Sequence, residues 1–265
     1  MAAFRFLGSG DSQGVPRWWC GCEVCKEARS TGRNARTRPS ILIEAEHETI
    51  LIDAAPELRL QMIRENVKDI DAVLISHAHN DHILGLGDLA DMARWTGRTV
   101  PIYAPAEVIP QLKERFAYLT QGAYPNLVPF YTFETNSRTF AGYRVHAHKV
   151  PHGFNGWSYA FRFEGDNGSW AYVSDSLMLE DLAPWQGLEL LILGTSFYKE
   201  NAPLEKRSVY DVTEALELLE LLQPKRALLT HLGHGIDVRR AVPKGVAYAK
   251  DGLVIRLPRK NCKSP

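Results

Sequence analysis

The stretch Asp71-Ala72-Val73-Leu74-Ile75-Ser76-His77-Ala78-His79-Asn80-Asp81-His82 decides how this chain is read. Its first part, Asp71 to Ile75, is an apolar, β-branched run of the kind that fills a buried strand. Its second part sets four side chains with metal-binding atoms, His77, His79, Asp81 and His82, within six positions. Alternation along an extended segment sends His77, His79 and Asp81 to one side, with His82 where the chain turns toward the next helix. One cation cannot easily take four ligands from so short a segment, whereas two cations can share them. Imidazole nitrogen suits zinc, iron and manganese, and carboxylate favours the harder ions. A surface histidine patch is the plain alternative, and four such residues packed at a strand end argue against it.

Working outward, Phe4 to Leu7 reads as a short strand running into a glycine-rich loop, Gly8 to Gly14. Ser40 to Ala45 and Thr49 to Asp53 read as a hairpin. Leu58 to Glu65 reads as a helix with Leu58, Met62 and Ile63 on one face. Helices are also expected over Leu84 to Trp95 and Glu107 to Tyr118, while Tyr124 to Thr135 has no clear pattern. Strands resume at Thr139 to Lys149, Trp157 to Phe163, Ser169 to Ser174 and Leu188 to Leu193. A strongly periodic helix, Val209 to Leu222, precedes the strand Arg226 to Thr230. Two runs of strands, each followed by helices, predict two sheets packed face to face with helices on both outer faces, all in one domain spanning 1–265.

The length of 265 residues and a 45% hydrophobic content allow a sizeable core. Lys+Arg and Asp+Glu both total 31, so no global field steers a nucleic acid or a membrane surface, and a stable nucleic-acid partner is not expected. No basic-plus-apolar leader and no apolar span near 20 residues is present, so the expectation is a cytoplasmic protein with no membrane partner. Three of the four cysteines, Cys20, Cys22 and Cys25, share one loop; in a reducing compartment that spacing points to metal. Three thiolates are one short of the tetrahedral shell of structural zinc, so a distant histidine is the natural fourth ligand. Cys262 has no visible partner.

The His-x-His-x-Asp-His pattern after a strand resembles the signature of the metallo-β-lactamase superfamily. That resemblance implies an α/β fold, the αββα four-layer sandwich. It also implies a site completed by His152, by Asp175 as a bridging carboxylate, and by His231. Within the superfamily the chain is most similar to the phosphodiesterase of the carbon–phosphorus lyase pathway. The shared features are Gly8-Ser9-Gly10, Gln13-Gly14-Val15-Pro16, the cysteine cluster, the His77 motif, Ser174-Asp175 and Leu229-Thr230-His231-Leu232-Gly233-His234. By that resemblance, His77, His79, His152 and Asp175 hold one divalent metal ion. Asp81, His82, Asp175 and His231 hold a second, with Asp81 and Asp175 as the catalytic carboxylates. Cys20, Cys22, Cys25 and His234 hold a structural zinc. The implied cofactors are two manganese or zinc ions and that zinc, and the implied reaction is hydrolysis of a phosphodiester or cyclic phosphate, a small anionic ester. A homodimer fits the same reading.

One departure stands out. That family carries a proton-donating histidine before the helix preceding the last metal strand, and counting back from His231 places Val209 at or near it. Tyr198, Lys199 or Tyr210 would replace it, or the leaving group needs no acid. General acid catalysis is typically worth roughly 10²–10⁴-fold, so the gap bears on substrate choice. Asp53, at a strand end, is a candidate to orient a ligand histidine or to cap a helix. Arg33, Arg36 and Arg38 either grip a substrate phosphate or form a solvated basic loop. Trp18 and Trp19 either wall the site or pack the cysteine loop. His47 reads as solvated, and His146 and His148 as sharing one strand face. A cofactor-biosynthesis protein resembling the pyrroloquinoline quinone B family is the alternative function on this fold. A di-iron oxidoreductase would want glutamate where Asn80 stands.

Overall fold

The computed structural model describes residues 2–133, 139–166 and 168–256. The strands of the first half are β1 Ala3–Gly8, β2 Ser40–Glu44, β3 Thr49–Ile52, β4 Ala72–Leu74, β5 Ile102–Ala104 and β6 Phe130–Thr132. Those of the second half are β7 Thr139–Phe140, β8 Tyr143–Pro151, β9 Trp157–Gly165, β10 Gly168–Val173, β11 Leu190–Gly194, β12 Ala227–Thr230, β13 Val246–Tyr248 and β14 Val254–Arg256. The helices are α1 Glu23–Ser30, α2 Leu58–Arg64, α3 Asn80–Ile83, α4 Leu86–Thr96, α5 Ile109–Arg115, α6 Tyr124–Leu127 and α7 Val212–Leu222. None is long and apolar enough to cross a membrane. Cys262 lies outside the described residues.

Two seven-stranded sheets result, ordered β14-β1-β2-β3-β4-β5-β6 and β13-β12-β11-β10-β9-β8-β7. Period-two alternation of wholly apolar strands explains the four layers. Ile41, Ile43, Ile50, Ile52 and Leu74 face Phe161, Phe163, Trp170, Tyr172 and Ile192 between the sheets. Their neighbours Leu42, Leu51 and Val73 face Leu86, Leu89, Ala90 and Ala93 of α4. On the other sheet Ala171, Val173, Leu191 and Leu193 face Val212, Ala215, Leu218 and Leu222 of α7.

β3, β4, β5 and β6 run parallel, as do β10, β11, β12 and β13. Each parallel set therefore ends its strands at one edge, where the site residues follow. At that edge β11 and β10 approach closely: a Cβ at Gly194 would collide with the Ser174 carbonyl, so only glycine lets Asp175 sit where it does.

Several expectations are corrected. The segment Thr139 to Lys149 is not one strand, because Ala141 and Gly142 both take positive φ (51° and 82°) and close a two-residue hairpin between β7 and β8. The helix expected from Val209 begins at Val212: Asp211 accepts from the Glu214 amide, Glu214 reaches back, and that capping box leaves Val209 to Asp211 outside the helix, with Asp211 extended. Within α2 the buried positions are Leu58 and Gln61, while Ile63 is 63% exposed. Gln61 takes the inner position because its amide donates to Thr37 Oγ1 and the Arg38 carbonyl. In the unassigned region α6 and β6 form, with residues 134 and 135 outside the described range. The cysteine loop contains a helix, α1, that its composition did not announce.

Candidate active site

β4 delivers His77 and His79, but Asp81 does not arrive by extended alternation. The chain coils into α3 directly after His79, and this one turn swings Asp81 and His82 inward. β8 leads to His152, β10 leads to Asp175, and β12 leads to His231, which adopts φ 56°. Asp53 after β3 adopts φ 57°. Left-handed backbone at two non-glycine residues flanking one site is strain that surrounding contacts must hold, and Asp and His tolerate it better than most.

All seven donors named from the sequence converge. His77 Nε2 lies 2.9 Å from His79 Nδ1, and His152 Nε2 lies 3.3 Å from the same atom. On the other side His231 Nε2 is 3.3 Å and His82 Nε2 3.2 Å from Asp81 Oδ2. Asp175 touches both groups: Oδ2 is 3.1 Å from His82 Nε2, while Oδ1 is 3.2 Å from His231 Nε2 and 3.8 Å from His152 Nε2. Such spacings approximate the ~3.3 Å edge of a tetrahedral centre with nitrogen ligands at about 2.0–2.1 Å. His82 Nε2 and Asp175 Oδ2 are fully buried and face each other at 3.1 Å without the alignment of a hydrogen bond. Orphaned polar atoms of that kind are costly unless a ligand satisfies them, so the donor set fits divalent cations.

The remaining ring nitrogens are held from behind. His82 Nδ1 donates to Asp53 Oδ2 at 2.7 Å, and His152 Nδ1 donates to the Ser208 carbonyl at 2.7 Å. His77 Nδ1 is 3.0 Å from Ser76 Oγ, which itself donates to Asp53, and His231 Nδ1 is 3.1 Å from Ser196 Oγ. Such partners orient ligand rings and set their tautomer. Asp53 is thus an orienting group and not a helix cap. Ser76, Ser196 and the Ser208 carbonyl were not anticipated, although a signal existed for the first two: the apolar strands β4 and β11 are each followed two residues later by a serine.

Charges follow from burial and neighbours. Burial, reinforced by His82, pushes the His77 pKa well below its ordinary value; burial also lowers His79 and His152. These rings are neutral with lone pairs available. Burial opposes charge on His82, but Asp81, Asp53 and Asp175 outweigh it and hold its pKa well above the usual value; Asp175 and Asp81 do the same for His231. Burial would raise Asp81 and Asp175, yet the facing histidines hold both well below the carboxylate range.

The second cluster also assembles. Cys20, Cys22, Cys25 and His234 bring their ligand atoms within 4.8 Å of one another, and His234 Nδ1 lies 3.6 Å from both Cys22 Sγ and Cys25 Sγ. A tetrahedral edge between sulfur at ~2.3 Å and nitrogen at ~2.0–2.1 Å is about 3.6 Å, so this donor set fits zinc. Burial, then the Arg17 guanidinium, lowers the His234 pKa and keeps that ring neutral.

Other candidates fall outside the site. Arg36 is neither a phosphate grip nor solvated: it is 4% exposed, and its guanidinium donates to the carbonyls of Leu232, Gly233 and Ile236 and to Asn34 Oδ1. Arg38 pairs with Glu57. Trp18 and Trp19 pack edge to face on each other in solvent, apart from the apolar cluster of Val15, Cys25 and Ala28. His47 is exposed, and His146 and His148 sit 6.5 Å apart on β8. Val209 is buried; the Tyr210 hydroxyl accepts from the Leu179 amide; the Tyr198 ring lies under the Arg240 guanidinium.

A crystal structure of a diphosphatase from the PhnP family is 30% identical to this chain, with a TM-score of 0.85, covering 98% of this chain and 99% of that one. Zinc-bound PqqB from Methylobacterium extorquens shares the fold at 20% identity and a TM-score of 0.79, covering 96% of this chain and all of that one. The octanoyltransferase of Porphyromonas gingivalis is 27% identical over 97% of this chain and 52% of its own length. Ribonuclease Z of Methanococcus maripaludis is 32% identical over 48% of this chain and 44% of its own. The chain spans about half the length of these two curated relatives. The family model of the beta-lactamase superfamily domain matches residues 48–232, a range that takes in every donor from His77 to His231, and the chain belongs to the metallo-β-lactamase superfamily.

Proposed function

We propose that this chain is a metal-dependent hydrolase of phosphodiesters, cyclic phosphates or diphosphate esters, working at the seven-donor cluster. The reading is carried by the convergence of seven imidazole and carboxylate donors, six of them buried, with His82 Nε2 and Asp175 Oδ2 facing each other at 3.1 Å at its centre. His77, His79 and His152 would hold one divalent cation, Asp81, His82 and His231 a second, with Asp175 shared; Cys20, Cys22, Cys25 and His234 would hold a structural zinc. Two cations in such a site supply an acidified water and neutralise charge on the phosphoryl oxygens. The chain's own contribution is orientation: Asp53, Ser76, Ser196 and the Ser208 carbonyl hold the histidines with lone pairs turned inward.

The proton inventory narrows the substrate. Tyr198, Lys199 and Tyr210 make no hydrogen bond to the seven donors, and Val209 is apolar and buried. Without a poised acid, an alkoxide leaving group is slow to depart, by the roughly 10²–10⁴-fold that general acids contribute. A phosphate leaving group, with a second pKa of about 6, needs no proton at neutral pH. The reading therefore favours diphosphate esters or activated phosphodiesters, in keeping with the diphosphatase relative.

The test pairs elemental analysis with turnover of a phosphodiester panel, including cyclic nucleotides and a diphosphate diester, under added manganese or zinc. Three metals per chain with turnover, fastest on the diphosphate, supports the reading. Full metal loading with no turnover on any member overturns it and favours the cofactor-biosynthesis alternative.

A further inference from the structure

Beside the candidate metal cluster lies a cleft of about 340 Å³ with His77, Ala78 and His79 in one wall. That size lies within the roughly 300–1,000 Å³ range of small-ligand sites. The opposite wall comes from the pairing of β8 with β9, where Lys149 stands opposite Tyr159 and Pro151 opposite Trp157. This register turns Lys149, Tyr159 and Trp157 to one face, while Val150 and Ser158 turn to the other.

The wall is braced. Glu107 accepts the Lys149 ammonium at 2.8 and 2.9 Å on its two oxygens and the Tyr159 hydroxyl at 2.7 Å. Both carboxylate oxygens are thus engaged, whereas an ammonium with three protons keeps a donor to spare. The same ammonium sits 5.2 Å from the centroid of the Trp157 ring, a residue 54% exposed. The turn between the strands is equally fixed: a Cβ at Gly153 would strike the Arg207 carbonyl, the Phe154 amide donates to that carbonyl, and the His152 amide donates to Gly156. It carries Asn155, whose Nδ2 lies 3.4 Å from His152 Nε2.

We propose that this cleft is a nucleotide subsite, with the base stacked on Trp157 and its phosphate oxygens met by Lys149 Nζ and Asn155 Nδ2. It rests on the phosphoryl-hydrolase reading, because the scissile phosphorus would then lie toward His77 and His79. An indole left half-exposed beside a reaction centre is a surface for another flat ring, and such stacking is sequence-tolerant. The cleft thus gathers an indole, an ammonium and a carboxamide beside the metal-binding imidazoles, the three kinds of group that a base and its phosphates would meet.

Binding is separable from turnover, so the experiment is calorimetric titration of the metal-loaded protein with 5′-AMP and with ribose 5-phosphate. Stacking worth about 1–3 kcal/mol per base predicts that AMP binds roughly 5- to 150-fold more tightly. Trp157→Ala should abolish that preference, Trp157→Phe should keep most of it, and Lys149→Met should weaken both ligands by a similar factor. Equal binding of the two ligands by the parent protein, or a preference that survives Trp157→Ala, overturns the proposal. Unchanged affinities in Lys149→Met overturn its phosphate half. Failure of the hydrolase reading shows separately, as AMP binding without turnover of any phosphodiester.

Discussion

His82 Nδ1 and Asp53 Oδ2 meet at 2.7 Å with both side chains completely buried, 29 residues apart in sequence. Asp53 also receives the Ser76 amide and hydroxyl, so one carboxylate positions two consecutive pieces of the donor segment, His82 directly and His77 through Ser76. Replacing Asp53 with asparagine puts an NH₂ among groups that all donate. Metal affinity should fall about 10–100-fold, the usual loss for such partners. Metal retention against a chelator series measures this, and unchanged retention would remove Asp53 from the site.

Asp175 is the one carboxylate that touches both donor groups. Asp175→Ala should therefore lose metal and activity together, activity by at least about 100-fold. Elemental analysis beside turnover checks it. A variant that kept full activity would end the bridging role.

Protonation sets the pH dependence of loading. In the metal-free protein Asp81, Asp53 and Asp175 hold the His82 pKa well above its ordinary value and Asp175 and Asp81 raise that of His231, while burial lowers His77, His79 and His152. Cations must displace protons held by the first two, so the loaded form binds fewer protons and rising pH favours it. Calorimetry in buffers of different ionisation enthalpy should show between about one and two protons released per chain near pH 7. Zero release would contradict the charge state assigned to His82.

Cys22→Ser removes one of the three thiols gathered with His234 Nδ1. Zinc content should drop by about one per chain and the melting temperature by several degrees, at roughly 2–4 °C per kcal/mol for a chain of this size. Turnover per loaded active site should change less than about tenfold. An unchanged melting temperature with unchanged zinc would remove the structural site.

Arg36 ties the loop between α1 and β2 to the segment following β12, the segment that carries both His231 and His234. Burial lowers its pKa to about 10, still charged at neutral pH. Arg36→Met would strand the Ile236 carbonyl, whereas the Leu232 and Gly233 carbonyls and Asn34 Oδ1 would keep the backbone amides of Asp11, Ile236 and Val238. One unsatisfied buried acceptor at ~1–3 kcal/mol, with weakened bonding at the other three, predicts a loss of about 2–3 kcal/mol, read by urea denaturation. A loss below 1 kcal/mol would mean that water replaces the guanidinium.

Much of the site was legible locally. Apolar runs of period two announce β4, β10, β11 and β12, and metal-binding residues directly after them announce His77, His79, Asp81, His82, Asp175 and His231, because a strand end presents side chains whatever lies opposite. Composition likewise separates Cys20, Cys22 and Cys25 as a unit. What sequence alone left open is what depends on long-range approach. The partners of the ligand rings come from 29, 35 and 56 residues away, His82 with Asp53, His231 with Ser196, His152 with Ser208. Arg36 became a buried strut and not a phosphate grip because carbonyls nearly 200 residues later close around it. The cleft of Lys149, Tyr159, Trp157 and Glu107 exists only through the β8–β9 register and the docking of α5's approach against it. Local pattern specifies which side chains a strand end offers; only the packing of both sheets determines which of them meet, since hydrogen-bond partners are chosen by distance in space and not along the chain.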